Sequence, residues 1–154
     1  MRRLYKNRPR LLVVCSNEQV SHQLETLLSG YDYLVDVERN LEGGYARFKA
    51  YRHQVILVDE EFLGKNPDKV LNLFKKIQKF FVFMALVPAY RPNRVEELLS
   101  EHVYDVVETP VFPERLHQQV RRVISHQRLM IAFNYLRFVL LFLVLLGPFF
   151  FRLY

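Results

Sequence analysis

The sequence predicts an α/β fold: a five-stranded parallel sheet with helices on both faces, followed by a hydrophobic C-terminal helix. Short apolar runs alternate with segments whose apolar residues recur at helical spacing, and this alternation is typical of a parallel sheet. The chain has 154 residues, of which 51% are hydrophobic, and this fits one domain with a core. Its last acidic residue is Glu114, and a long apolar segment lies beyond it.

Five short runs rich in aliphatic and aromatic residues predict buried strands. They cover residues 11–15, 33–37, 54–59, 81–87 and 103–107. The third run, QVILVD, is apolar from Val55 until its carboxyl end, where Asp59 is the first charged residue. Runs of this length without polar alternation indicate strands that are covered on both faces.

The segments that follow these runs predict helices. Val20, Leu24 and Leu28 recur at helical spacing, and Gly30 ends that helix. Pro67 and Pro113 each stand where the first turn of a helix accepts proline. The predicted helices cover residues 20–30, 44–51, 67–77 and 95–102, with Leu98 and Leu99 inward, and a last helix from Pro113 that has no stop signal before the apolar tail.

Five strands, each followed by a helix, restrict the topology. Right-handed crossovers and a chain of this size favour the strand order 2-1-3-4-5 of flavodoxin-like sheets. In such sheets the functional site lies at the carboxyl ends of the strands. The residues predicted at those ends are Cys15, Ser16, Asp59, Val87, Pro88, Thr109 and Pro110.

Across residues 10–126 the chain resembles the receiver domain of bacterial response regulators, a CheY-like (βα)5 domain. The resemblance rests on four stretches, LLVVCSN, QVILVDEEF, FVFMALVPA and VYDVVETPVF. It implies phosphoryl transfer to an Asp at the end of the third strand, with Mg²⁺ held by that Asp and an acidic pair. It also implies a Lys that pairs with the phosphoryl group, a Thr or Ser hydroxyl that reports it, and a cis bond before a proline that follows the fifth strand.

The resemblance places the phosphoacceptor at Asp59, but the other functional positions differ. Cys15 and Ser16 stand at the acidic pair, Val87 at the hydroxyl and Thr109 at the Lys, whereas Pro110 and Phe112 are retained. Losing carboxylate ligands weakens Mg²⁺ binding, and losing the Lys removes charge stabilisation of the phosphoryl group. We therefore expect a degenerate receiver that works without phosphorylation. We expect that it is not an enzyme and holds no cofactor. Mg²⁺ would be bound only if Asp59 is a genuine phosphoacceptor.

The residues around this site are expected to have structural roles. Cys15 is expected to be a small buried hydrophobe. Asp59 is expected to bond Thr109 or backbone N–H groups, and Glu60 and Glu61 are expected to be solvated loop charges. The His residues show no metal-ligand spacing, so no metal site is expected from them.

The resemblance implies that partners dock on the surface between residues 91 and 126. The residues expected in or beside that surface are Tyr90, Arg94, Glu97, Tyr104, Arg115 and Gln119. The first hypothesis is accordingly a phosphorylation-independent interaction module in signal transduction, which binds signalling proteins or forms a homodimer. The alternative hypothesis is a genuine phosphoacceptor receiver in a two-component phosphorelay that uses Asp59.

The pattern divides the chain into a basic arm at 1–9, a receiver-like domain at 10–128 and a hydrophobic segment at 129–154. Residues 129–151 read LMIAFNYLRFVLLFLVLLGPFFF. As a helix at about 1.5 Å per residue they would span about 34 Å, against about 30 Å of bilayer hydrocarbon. We expect a single-pass membrane anchor in which Arg137 snorkels to the interface. The alternatives are a helix that packs in an oligomer and an interfacial or re-entrant segment.

The placement of basic residues predicts an orientation. Arg121, Arg122 and Arg128 precede the apolar segment and Arg152 follows it, which favours a body on the cytoplasmic face of the cell membrane. The N-terminal arm is also basic, but no nucleic-acid-binding module accompanies it, so nucleic acid is not an expected partner. The apolar run after that arm is too short for a signal peptide.

Overall fold

The structure, a computed structural model, describes residues 8–88 and 91–151, with side chains up to residue 145. Its five strands form one parallel sheet in the order β2-β1-β3-β4-β5, so the predicted fold class and strand order are confirmed. The strands are β1 (Arg10–Val14), β2 (Leu34–Glu38), β3 (Val55–Asp59), β4 (Val82–Pro88) and β5 (Asp105–Thr109). Most of the predicted basic arm, residues 1–7, lies outside the described residues.

Six helices connect and extend these strands within the described residues. They are α1 (Glu18–Gly30), α2 (Leu41–Tyr51), α3 (Glu60–Leu63), α4 (Pro67–Lys75), α5 (Pro92–Ser100) and α6 (Pro113–Phe151). Three begin at an Asn whose side chain accepts hydrogen bonds from the first turn: Asn17, Asn40 and Asn66. The cap at Asn40 starts α2 at Leu41, three residues before the predicted start at Gly44. The short helix α3 was not predicted.

The core lies on both faces of the sheet, because side chains alternate along each strand. Leu11 and Val13 of β1 point to one face, where α1 and α6 cover them, and Leu12 and Val14 point to the other. On that second face Phe48 of α2 packs edge-on against Phe74 and Phe81, with ring centroids 5.3 and 5.2 Å apart. The central strand β3 is buried from Val55 to Val58.

One predicted core residue is on the surface. Leu98 is fully buried, but its neighbour Leu99 is 48% exposed. Successive residues on a helix are rotated by about 100°, so both cannot face the same narrow strip of sheet. Leu99 therefore adds apolar surface to the outer face of α5.

Helix α6 runs without interruption from the domain into the apolar tail, as the lack of a stop signal predicts. Its last buried side chain within the described residues is Gln127, and none of the most apolar part of the helix is buried. The helix is long and apolar enough to cross a membrane. The backbone therefore continues as one helix across the predicted boundary between residues 128 and 129.

The glycine at 44 permits the close packing of α2 on β1. A Cβ at Gly44 would lie 2.7 Å from Val14 Cγ2, whereas a Cβ at Gly30 would meet nothing within 4 Å. Gly44→Ala should therefore lower the free energy of unfolding by about 1–3 kcal/mol, because the extra methyl overpacks the core. Gly30→Ala, the matched control, should be neutral or stabilising by up to about 1 kcal/mol. Urea denaturation of the two variants in detergent checks the difference, and equal stabilities would show that α2 moves freely away from β1.

Candidate functional site

The carboxyl ends of four strands meet at one edge of the sheet. Asp59 ends β3, Pro88 and Thr109 are paired neighbours at the ends of β4 and β5, and Cys15 directly follows β1. Asp59 and Thr109 line the same small cavity of about 100 Å³, together with Asn17, Val20, Leu86 and Pro88. The structure thus brings together most of the predicted site.

Val87, like Cys15 and Pro110, lines neither of the cavities in which Asp59 participates. It is fully buried in the core cluster on the α4 and α5 side of the sheet. Leu98 of α5 belongs to the same cluster. Val87 therefore acts as a packing residue in this structure.

The Cys15 thiol lies directly beside Asp59. Cys15 Sγ is 3.3 Å from Asp59 Oδ2 and 3.6 Å from the Asn17 carbonyl oxygen. The thiol is the donor, because both partners are acceptors. The carboxylate of Asp59 thus accepts from Cys15, whereas a bond to Thr109 or to backbone N–H groups was expected. The prediction of a buried Cys15 is confirmed, since its side chain is fully inaccessible.

Burial and the adjacent carboxylate keep the thiol protonated. Burial raises the pKa of Cys15 from its ordinary 9.0 to about 12, and the hydrogen bond to Asp59 acts in the same direction. Both effects disfavour a thiolate, since ionisation would place a second negative charge next to Asp59. At neutral pH the thiol is a neutral donor, unlike a carboxylate in that position.

The donor set at this edge does not fit Mg²⁺. This ion demands several hard oxygen ligands in near-octahedral geometry. The end of β1 offers a soft thiol and the Ser16 hydroxyl, and one Asp59 oxygen already accepts from Cys15. In residues 8–88 and 91–151 no three His, Cys, Asp or Glu side chains form a group that could hold a metal ion.

An open cleft of about 790 Å³ extends from Asp59 toward α5. Charged side chains of both signs line it: Asp59, Glu60, Glu61 and Glu97 against Lys65, Arg91 and Arg94. Its walls are therefore polar, and the opposite charges largely offset each other. A cleft that attracts a charged ligand is typically lined by charges of one sign, and this cleft is not.

Glu60 is held in this cleft by two arginines instead of being a solvated loop charge. Its Oε1 accepts from Arg91 Nη1 at 2.8 Å, and Arg94 Nε lies 3.9 Å from its Oε2. Arg94 also pairs with Glu97 at 2.7 Å and donates to the Gly64 carbonyl oxygen. These contacts tie the segment after β3 to the start of α5. Sequence reasoning missed them because the partners are far apart in the chain.

The predicted docking residues differ in their exposure. Glu97, Tyr104 and Arg115 are exposed. Gln119 is buried, because its Nε2 donates to the Val106 carbonyl oxygen at 3.0 Å, and so it is not available to a partner as predicted. Arg94 is mostly covered by its contacts in the cleft, and Tyr90 lies outside the described residues.

Comparison with known proteins identifies the architecture. No family model matches the sequence, and no curated protein matches it either. A response regulator receiver domain from Clostridium thermocellum superposes with a TM-score of 0.68 at 16% identity, covering 79% of this chain and 98% of that one. The fold is that of a response regulator receiver domain.

Two further structures have the same receiver fold. The chemotaxis response regulator CheY4 of Vibrio cholerae has a TM-score of 0.65 at 18% identity, over 76% of this chain and 99% of its own. NtrX from Brucella abortus, solved in complex with ADP, has a TM-score of 0.76 at 16% identity, over 84% of this chain and 29% of its own. Identities this low show the fold alone.

A local feature of the receiver fold is also present. The Thr109–Pro110 peptide bond is cis, as the receiver resemblance implies for the bond that follows β5. The receiver resemblance places Thr109 where the family has its Lys. The cis bond after β5 thus matches what the resemblance implies, whereas the side chains at the end of β1 and at Thr109 differ from those that it implies.

The raised pKa of Cys15 predicts a pH dependence of stability. The folded chain keeps the thiol proton up to about pH 12, whereas the unfolded chain loses it near 9.0. The stabilisation from this proton is therefore complete below pH 9 and is lost as pH rises toward 12. Urea denaturation of the full chain should show a steeper loss above pH 9 than Cys15→Ser, whose hydroxyl does not titrate there. Parallel curves for the two proteins would contradict the assignment.

Proposed function

We propose that this chain is a membrane-tethered domain with a receiver fold that acts as a phosphorylation-independent protein interaction module in signal transduction. The observation that supports it most directly is the contact of Asp59 with a neutral thiol in place of an acidic pair. The receiver fold supports the signalling role, and the apolar part of α6 supports the tether.

The phosphorylation-independent part rests on charge. A phosphoryl group added to Asp59 would bring about two negative charges to an edge that already holds Glu60 and Glu61. Without ligands for Mg²⁺ and with Thr109 in place of a Lys, nothing at the β1 and β5 ends offsets that charge. Of the three cations that line the cleft, Arg91 and Arg94 already bind Glu60, and Lys65 is exposed.

The membrane tether rests on the exposure of α6. Every described side chain from Phe138 to Leu145 is exposed, and all are apolar. Eight consecutive positions cover all sides of a helix, so the apolar surface is not a single stripe. A partner helix would cover one stripe only, whereas lipid covers the whole circumference. The basic residues before the tail support a domain on the cytoplasmic face.

The docking surface would lie along α5, β5 and the first turns of α6. Glu97, Tyr104 and Arg115 offer charged and aromatic groups there, and Leu99 and Phe112 add exposed apolar surface, 48% and 65% accessible. Aromatic and apolar groups surrounded by charges are typical of the surfaces that proteins bind. Tethering would raise the concentration of this surface near membrane-bound partners.

A phosphodonor experiment tests the first part. The full chain in detergent is incubated with radiolabelled acetyl phosphate and Mg²⁺, beside a receiver domain with an intact acidic pair. We expect no stable label on this chain, because Mg²⁺ ligands are lacking at the end of β1. Label that disappears in Asp59→Asn but remains in the neighbouring Glu61→Gln would favour the phosphorelay alternative, in which Asp59, which lines the open cleft, is a genuine phosphoacceptor.

A flotation experiment tests the second part. The full chain should float with phospholipid vesicles and resist alkaline extraction, because α6 spans their hydrocarbon. Leu140→Arg should reduce the inserted fraction, since an arginine near the centre of a spanning helix costs about 2.5–3.5 kcal/mol. Leu73→Arg, on the exposed side of α4, is the matched control and should insert normally. A chain that is soluble without detergent as a discrete oligomer would contradict the tether.

A further inference from the structure

Helix α6 leaves the domain at the amino edge of the sheet, the edge opposite Asp59. Gln127 Nε2 donates to the Phe80 carbonyl oxygen at 3.0 Å, and Phe80 lies just before β4 begins at Val82. The strand β3 separates this edge from Asp59 by about 17 Å, at roughly 3.3 Å per residue. The apolar tail begins at Leu129, within one turn of Gln127.

Exposed cations surround this exit point. Arg52 follows α2, Lys75 and Lys76 end α4, Lys79 precedes β4, and Arg128 follows Gln127, and all five are exposed. Gln78 fixes the segment between α4 and β4, since its Nε2 lies 2.6 Å from the Phe80 oxygen and 3.4 Å from the His53 oxygen. We call these five residues the basic edge.

None of the five cations of the basic edge forms an ion pair with a described residue, and neither does Glu101, the acid that follows α5. In contrast, Asp36 lies 2.6 Å from His53 Nε2 and 3.3 Å from Arg10 Nε, and Asp105 binds Arg122. Asp32 binds Arg8 at 2.5 Å. The surface next to the tail is therefore net positive.

We propose that the basic edge binds the anionic headgroups of the membrane in which α6 is anchored, and that the Asp59 cleft consequently faces away from the bilayer. This inference rests on the proposed tether. Arg128, the last residue of the basic edge, directly precedes Leu129, which is 57% exposed and begins the apolar tail. The charged edge therefore lies at the level of the headgroups when the tail lies in the hydrocarbon. A basic cluster next to a spanning helix is attracted by anionic lipid.

Lipid headgroups are the ligand that we infer for the basic edge, because the continuous helix α6 holds this edge next to the tail. If the hydrocarbon begins near Leu129, the polar layer of the bilayer, about 5–8 Å thick on each side, lies against the amino edge of the sheet. A soluble acidic partner would have to enter this same gap. The docking surface along α5 and β5 remains open at the side of the domain.

Fluorescence quenching in vesicles tests the orientation. Probes are attached to the thiol introduced by Ala50→Cys, near the basic edge, or by Glu42→Cys, at the opposite end of the same helix α2. Both positions are exposed, and the native Cys15 is fully buried and so is not labelled. The full chain is reconstituted in phosphatidylcholine vesicles with or without phosphatidylglycerol, and the quencher is a nitroxide on the lipid headgroup.

We expect phosphatidylglycerol to increase quenching at position 50 and to leave position 42 unquenched. The increase should be lost in high salt and in Lys75→Gln/Lys76→Gln/Lys79→Gln, because screening and neutralisation both remove the attraction. The matched control Lys65→Gln/Lys69→Gln, near the start of α4, should keep it. If the triple variant does not fold, Arg52→Gln/Arg128→Gln removes charge from the same edge.

The outcomes separate this inference from the tether. A chain that floats with vesicles but shows equal quenching at position 50 with and without phosphatidylglycerol overturns the lipid-binding edge and leaves the tether intact. Stronger quenching at position 42 overturns the orientation. A chain that floats with neither lipid overturns both proposals.

Discussion

The hydrogen bond between the Cys15 thiol and Asp59 determines what this site can do chemically. The two groups are 3.3 Å apart because β1 and β3 are neighbours in the sheet and both end at the same edge. With a thiol there, Asp59 has a neutral neighbour, and the end of β1 offers no carboxylate to a divalent cation. Arg91 and Arg94 bind Glu60, so two of the three cations of the cleft offset a local acid.

The opposite, amino edge of the sheet carries exposed cations. There α6 leaves the domain at Gln127, beside the basic edge, whose cations form no ion pair with a described residue. The same helix packs on the sheet through Val120 and Val123 and then exposes apolar side chains on all sides from Phe138 to Leu145. One continuous element therefore fixes the direction of the domain relative to the proposed bilayer, with the Asp59 cleft at the far end and the docking surface at the side.

Periodicity and strand count predicted the sheet order, because buried runs such as 54–59 leave few topologies open. Local ends were predicted less well. The strand β5 begins at Asp105 and includes Glu108 and Thr109, since its ladder follows its pairing with β4 and not its hydropathy. The burial of Gln119 and the ion pairs of Glu60 depend on residues distant in sequence, so no single-sequence pattern reveals them. Asp59 and Cys15 were found because both end apolar runs, but the bond between them required the structure.

Calorimetric titration of the full chain in detergent with Mg²⁺ measures whether the edge at Asp59 holds this ion. We expect no saturable binding by the unaltered chain. We also expect that Cys15→Asp/Ser16→Asp gains binding, and that a further Asp59→Asn removes it, because the introduced carboxylates would supply the oxygen ligands. Saturable Mg²⁺ binding by the unaltered chain that Asp59→Asn abolishes would show that Asp59 holds a divalent cation despite its thiol neighbour.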